Sequence, residues 1–207
     1  TPNKIKISKE IIATLPIETF PGKIVVIDNE RDADNAVLQL NNERIIGFDT
    51  ETRPTFKKGK SNHVALIQLS THDTCYLFRI NRIGFTPAIK NLLENESLLK
   101  VGISLKDDFC MLSRLNGGQF IPKNFIELQK FVKKYNIEDQ SLQKIYGIVI
   151  GKKISKGQRL SNWEADHLTE NQQLYAATDA WSCIKIYEVL KSGKFKSPIY
   201  KIQPSSL

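Results

Sequence analysis

The chain has 207 residues, 41% of them apolar, which suits one α/β domain and excludes a disordered polymer. Lys and Arg outnumber Asp and Glu, 30 to 22, so the net charge is +8 and the surface attracts polyanions. No apolar run approaches the roughly 20 residues of a bilayer span, and no secretion signal opens the sequence, so a cytoplasmic (intracellular) location without a membrane is the expectation. Cys75, Cys110 and Cys183 are odd in number and form no CxxC pair. That argues against a disulfide framework or a zinc knuckle, and for reduced, mostly buried thiols.

Residues 1–22 read as an arm punctuated by Pro2, Pro16, Pro21 and Gly22, with Ile5, Ile7, Ile11 and Ile12 available to dock it on a body at 23–191; a tail follows at 192–207. Hydrophobic spacing predicts a strand over 23–28 and a helix over 31–40. Residues 44–49 are apolar on both faces and end in acid, the pattern of a central strand. A basic loop from Arg53 to Ser61 follows, then strands over 64–69 and 75–78, making three antiparallel strands in a row. A helix over 86–94, a strand over 98–103 and a helix over 105–115 come next, the last ended by Gly117-Gly118. A short strand over 125–127 and helices over 128–135 and 141–146 lead to a basic loop, 151–161, with Lys152, Lys153, Lys156 and Arg159. The final helix spans 170–190, opened by a capping box of Thr169 and Gln172. Strands first, then strand and helix alternating, predict a mixed sheet with helices on both faces. Ribonuclease-H-like folds have this pattern, though element order alone does not choose among α/β types.

Four carboxylates stand out. Asp49 and Glu51 are two apart where the central strand emerges, so they share a face, and two like charges there repel unless a cation lies between them. Asp108 aligns with Met111, Leu112 and Leu115 and interrupts an apolar stripe. Its neighbour Asp107 is explained locally, as the third helical residue after an N-cap at Ser104, whereas a second cap-like role for Asp108 stays open. Asp179 shares its helix face with Tyr175, Cys183, Ile186 and Tyr187, and no Lys or Arg follows on that face within two turns. Burying such a carboxylate unpaired is costly, and a metal ion is the economical partner. Oxygen ligands select hard divalent cations, Mg²⁺ or Mn²⁺, and a pair of these suits in-line phosphoryl displacement.

Phe48-Asp49-Thr50-Glu51, Val101-Gly102-Ile103-Ser104-Leu105-Lys106-Asp107-Asp108 and Tyr175-Ala176-Ala177-Thr178-Asp179 resemble the three exonuclease motifs of the DEDD superfamily, in its tyrosine subtype. The resemblance runs from about Lys23 to Leu190 and includes Val64 to Leu69, Asn124 to Leu128 and Ser161-Asn162-Trp163. It points to exonuclease domains of the Werner helicase type and, more distantly, to ribonuclease D. It implies a ribonuclease-H-like fold, two divalent metal ions and release of 5′-mononucleotides from the 3′ end of DNA. By position, Asp49, Glu51, Asp108 and Asp179 match the metal ligands, and Tyr175 matches the residue that orients the attacking water. The histidine subtype needs His at 174, where this chain has Leu174, so His63, His72 and His167 read as surface or loop residues. Ribonuclease D carries helical domains after its nuclease, whereas 17 residues follow Leu190 here, so a stand-alone nuclease is the expectation.

Binding residues are less sharply marked. Lys57 and Lys58 in the loop Phe56-Lys57-Lys58-Gly59-Lys60, together with Arg159 and its neighbouring lysines, suit backbone phosphates, and equally suit plain solvated loops. Trp163 fits either a base-stacking surface or a buried support. Thr50 and Phe109 adjoin ligands and are candidates to touch the terminal nucleotide. Two other readings stay open: an RNA exonuclease with the same site, and an inactive nucleic-acid-binding module, against which the complete set of carboxylates speaks.

Overall fold

The computed structural model describes residues 4–55 and 63–196. The expected lysine positions Lys57 and Lys58 and most of the tail lie outside that range. Among the described residues no helix is long and apolar enough to cross a membrane.

Six strands form one mixed sheet: β1 (Lys23–Ile27), β2 (Ile45–Thr52), β3 (Val64–Ser70), β4 (Thr74–Phe78), β5 (Leu99–Gly102) and β6 (Phe125–Glu127), in the order β1-β4-β3-β2-β5-β6. The consecutive strands β2, β3 and β4 pair antiparallel, whereas β1 joins β4, and β5 and β6 extend β2, in parallel. β3, in the middle, is buried along its whole length. β2 runs three residues beyond the expected end, to Thr52, because β3 continues to pair with it across a register shift between Glu51 and Thr52. Asp49 and Glu51 therefore stand on a paired strand whose geometry the neighbouring ladder holds.

One face is covered by α2 (Glu30–Leu40), α4 (Pro87–Leu93) and α5 (Leu105–Leu115), whose apolar residues join Ile46, Phe48, Ile67 and Phe78 in one core. The short helix α3 (Ile80–Ile83) follows β4. The other face is covered by α8 (Glu170–Lys191), flanked by α6 (Leu128–Phe131) with its 3₁₀ extension over 132–135 and by α7 (Leu142–Ile150). The capping box of Thr169 and Gln172 forms as expected. α8 is buried continuously from Tyr175 to Ile184, so Asp179 has no solvent face to turn to. It lies directly on the sheet at Gly47, where an added Cβ would sit 1.9 Å from the Ala180 carbonyl oxygen. Only a residue without a side chain permits that approach.

The segment before β1 carries a short helix, α1 (Lys9–Thr14), and packs Ile5, Ile7 and Leu15 into the core with α7 and α8. Ile5 bridges to Ile137, and Glu18 accepts from Tyr146, from Lys152 at 2.8 Å and from Lys185 at 3.0 Å.

One local expectation is corrected. Ser104 does not cap α5 with its side chain; its φ is +54°, and the Glu127 carboxylate accepts from the Ser104 and Leu105 amides at 2.9 and 2.8 Å instead. Cys75 and Cys183 are buried as expected, but Cys110 is exposed on α5; all three are free.

Candidate active site

The alternation of β2 divides the site between two faces. Asp49 and Glu51 point toward α8, and Thr50 points toward α5. Asp179 descends from α8 onto the first pair, so one oxygen each of Asp49, Glu51 and Asp179 lie within 4.8 Å of one another. Asp108 comes from α5 on the opposite side, stays outside this trio, and accepts a hydrogen bond from the Thr50 hydroxyl. A cleft of about 280 Å³ joins the two halves, lined by Thr50, Glu51, Pro54, Asp108, Arg159 and Leu160 among others.

Burial raises the pKa of all four acids, and the charges of the others add to it at Asp49 and Glu51. Burial, then the charges of Glu51, Asp179 and Asp108, holds Asp49 well above the usual carboxylate range. Burial and the charges of Asp179 and Asp108 push Glu51 up to about 9, although Arg159 opposes the shift. Burial lifts Asp179 to about 7 and Asp108 to about 6, the latter against the hydrogen bond from Thr50. Oδ1 of Asp179 is buried without any hydrogen-bond partner. An all-carboxylate donor set with an orphaned, buried oxygen fits hard divalent cations.

Tyr175 lies one helical turn before Asp179 and is mostly buried. Burial and the neighbouring charges of Asp179, Glu51 and Asp49 hold its phenol above its ordinary pKa, so it keeps its proton and can donate it in a hydrogen bond.

The binding candidates divide. Arg159 is exposed at the cleft and carries positive charge to its rim. Lys152 and Lys153 face the N-terminal segment instead, Lys152 on Glu18 and Lys153 on the Ala13 carbonyl at 2.6 Å. Trp163 is fully buried and packs 6.0 Å from Tyr175 between ring centres, so its indole is an interior support and not a base-stacking face. Phe109 sits among Phe48, Phe120 and Phe125, with its ring 4.7 Å from Phe125, and secures α5 to the sheet. His63, His72 and His167 are all exposed, as expected.

Sequence reasoning missed Gln68. It pairs across from Asp49 and is fully buried beneath the carboxylates. A polar residue inside an otherwise apolar strand, Val64-Ala65-Leu66-Ile67-Gln68-Leu69, was the available signal.

Residues 24–193 match the 3′-5′ exonuclease family. Over 203 residues, or 92% of this chain, the sequence is 36% identical to the mouse bifunctional 3′-5′ exonuclease/ATP-dependent helicase WRN, and it spans 14% of that protein. The fold resembles the Nibbler EXO domain of Aedes aegypti, with a TM-score of 0.76 at 23% identity over 84% of this chain and 91% of that one. It also resembles Escherichia coli RNase D, an exoribonuclease involved in structured RNA processing, with a TM-score of 0.73 at 20% identity over 83% of this chain and 45% of that one. The mixed sheet, the cluster of acids and the matched stretch agree: this chain belongs to the 3′-5′ exonuclease family.

Proposed function

We propose that this domain removes nucleotides one at a time from the 3′ end of DNA, releasing 5′-mononucleotides, with two divalent cations held by Asp49, Glu51, Asp108 and Asp179. The observation that carries this reading is the convergence of Asp49, Glu51 and Asp179 within 4.8 Å, with Asp108 sharing the adjoining cleft with Glu51. Three buried or half-buried acids that close form a poor resting arrangement and a good cation trap.

When bound, the cations supply Lewis-acid activation of the attacking water and stabilise charge on the leaving 3′ oxygen. The chain does the rest. Thr50 holds Asp108 in a fixed orientation through its hydroxyl. Tyr175 keeps a neutral phenol at the trio and orients water by hydrogen bonding. Arg159, at the cleft rim, attracts the strand's phosphates, and the wider basic surface draws in the polyanion. Burial of the acids limits bulk water around them, which strengthens the charge interactions inside.

DNA is ranked first on the resemblance of the three motifs to Werner-type exonuclease domains. The second reading, an RNA exonuclease, draws on the fold shared with an exoribonuclease. End-labelled DNA and RNA of equal sequence, digested side by side with Mn²⁺, separate the two; faster loss of RNA reverses the ranking. Asp49→Ala should abolish cleavage while the chain stays folded, and full activity in that variant removes the mechanism.

A further inference from the structure

Gln68 stands on β3 opposite Asp49 of β2 and Leu77 of β4. Cross-strand neighbours share a face, so its side chain leaves the sheet on the side of Asp49, Glu51 and α8. It is 0% exposed, and neither Nε2 nor Oε1 has a hydrogen-bond partner. A carboxamide offers two N–H donors and an acceptor oxygen, and burying all of them unused opposes folding. A leucine would fill that space without the penalty. The same compartment holds a second orphan, Oδ1 of Asp179. Glu51, on the same face of β2, lies within reach of the amide.

We propose that Gln68 is a positioning residue for the metal-binding carboxylates: its Nε2–H group donates to the Glu51 carboxylate and so orients the oxygen that Glu51 presents to a cation. The inference rests on the two-cation reading of the site. The amide makes no close hydrogen bond to the carboxylates on its face, and a Glu51 carboxylate turned to present an oxygen to a cation would give it one. Gln68 therefore stabilises the loaded site over the empty one, and its contribution appears in cation affinity and not in the bare fold. Hydrogen-bonding groups behind metal ligands act in this way generally.

The test uses Gln68→Leu and Gln68→Met in the full chain, with two readouts: Mn²⁺ affinity by calorimetry and melting temperature in EDTA. Both variants should melt at or above the wild-type temperature in EDTA, and both should bind Mn²⁺ about tenfold more weakly. Unchanged Mn²⁺ affinity overturns the proposal. So does a lowered melting temperature, or failure of both variants to fold, since the amide would then serve the fold. If the wild-type chain itself binds no Mn²⁺, the two-cation reading fails, an outcome separate from failure of Gln68 alone.

Discussion

Gly47 and Ala180 meet backbone to backbone: a Cβ on the glycine would lie 1.9 Å from the Ala180 carbonyl oxygen. Asp49 follows Gly47 by two residues, and Asp179 precedes Ala180 by one, so this contact sets the separation of the acids. Gly47→Ala must push α8 off the sheet. Overpacking of this kind costs about 3 kcal/mol. Urea unfolding should register that loss, and cleavage should fall by at least about 100-fold, since roughly 1 Å of misplacement can cost that much. Wild-type stability in Gly47→Ala would mean that the helix has slack here.

Thr50 donates to Asp108, a hydrogen bond from a mostly buried hydroxyl to a carboxylate. Thr50→Val keeps the shape and removes the donor, at a cost of about 1.5–3 kcal/mol for a bond to a charged group. The variant should lose at least about tenfold in cleavage rate, which matches that free energy. Thr50→Ser, which keeps the hydroxyl, should stay near wild type. Equal rates for Val and Ser would show that the bond is idle.

Asp179→Asn tests the tension between the acids when no metal is supplied. The amide removes one charge from the trio, so the metal-free chain should melt higher than wild type, by about 1 kcal/mol or more, while cleavage disappears. Differential scanning calorimetry in EDTA and a nuclease assay read the two effects. A lower melting temperature would mean that Asp179 supports the fold through a contact other than cation binding.

The acids also fix a pH dependence. Burial raises Asp49, Glu51 and Asp179, and repulsion from neighbouring acids adds to it at Asp49 and Glu51, with Glu51 near 9 and Asp179 near 7. Unfolded carboxylates titrate near about 4, so between about pH 4 and 9 the folded chain holds more protons than the unfolded one. Stability is then fully present at the acidic end and is lost as pH rises through the folded values. In EDTA the melting temperature should fall from about pH 5 to about pH 9, and Mn²⁺ should flatten the slope by supplying the missing positive charge. A melting temperature that rises over that range contradicts the repulsion described for the trio.

Much of this was legible in the sequence because periodicity reports on local geometry. The alternation of β2 and the buried stripe of α8 marked Asp49, Glu51 and Asp179 as side chains facing other elements. What stayed hidden depended on distant partners. Glu127 caps α5 from across a parallel strand pair, displacing the nearer Ser104. Thr50 reaches Asp108 because strand alternation sends it to the opposite face from its neighbours, a relation visible only once α5 is docked. Trp163 gave no local sign of whether it faced solvent or core. Gln68 passed as one polar residue in an apolar run, since cross-strand pairing alone brings it under Asp49.

Glu18 joins three donors from α7, α8 and the loop that begins at Gly151. Lys153 of that loop is fastened to the same N-terminal stretch. Arg159 sits six residues further on, so the reach of this arginine is governed by a tether in the segment before β1. Clipping or displacing residues before β1 would slacken the loop and free Arg159 to shift at the cleft, with every acid still in its position.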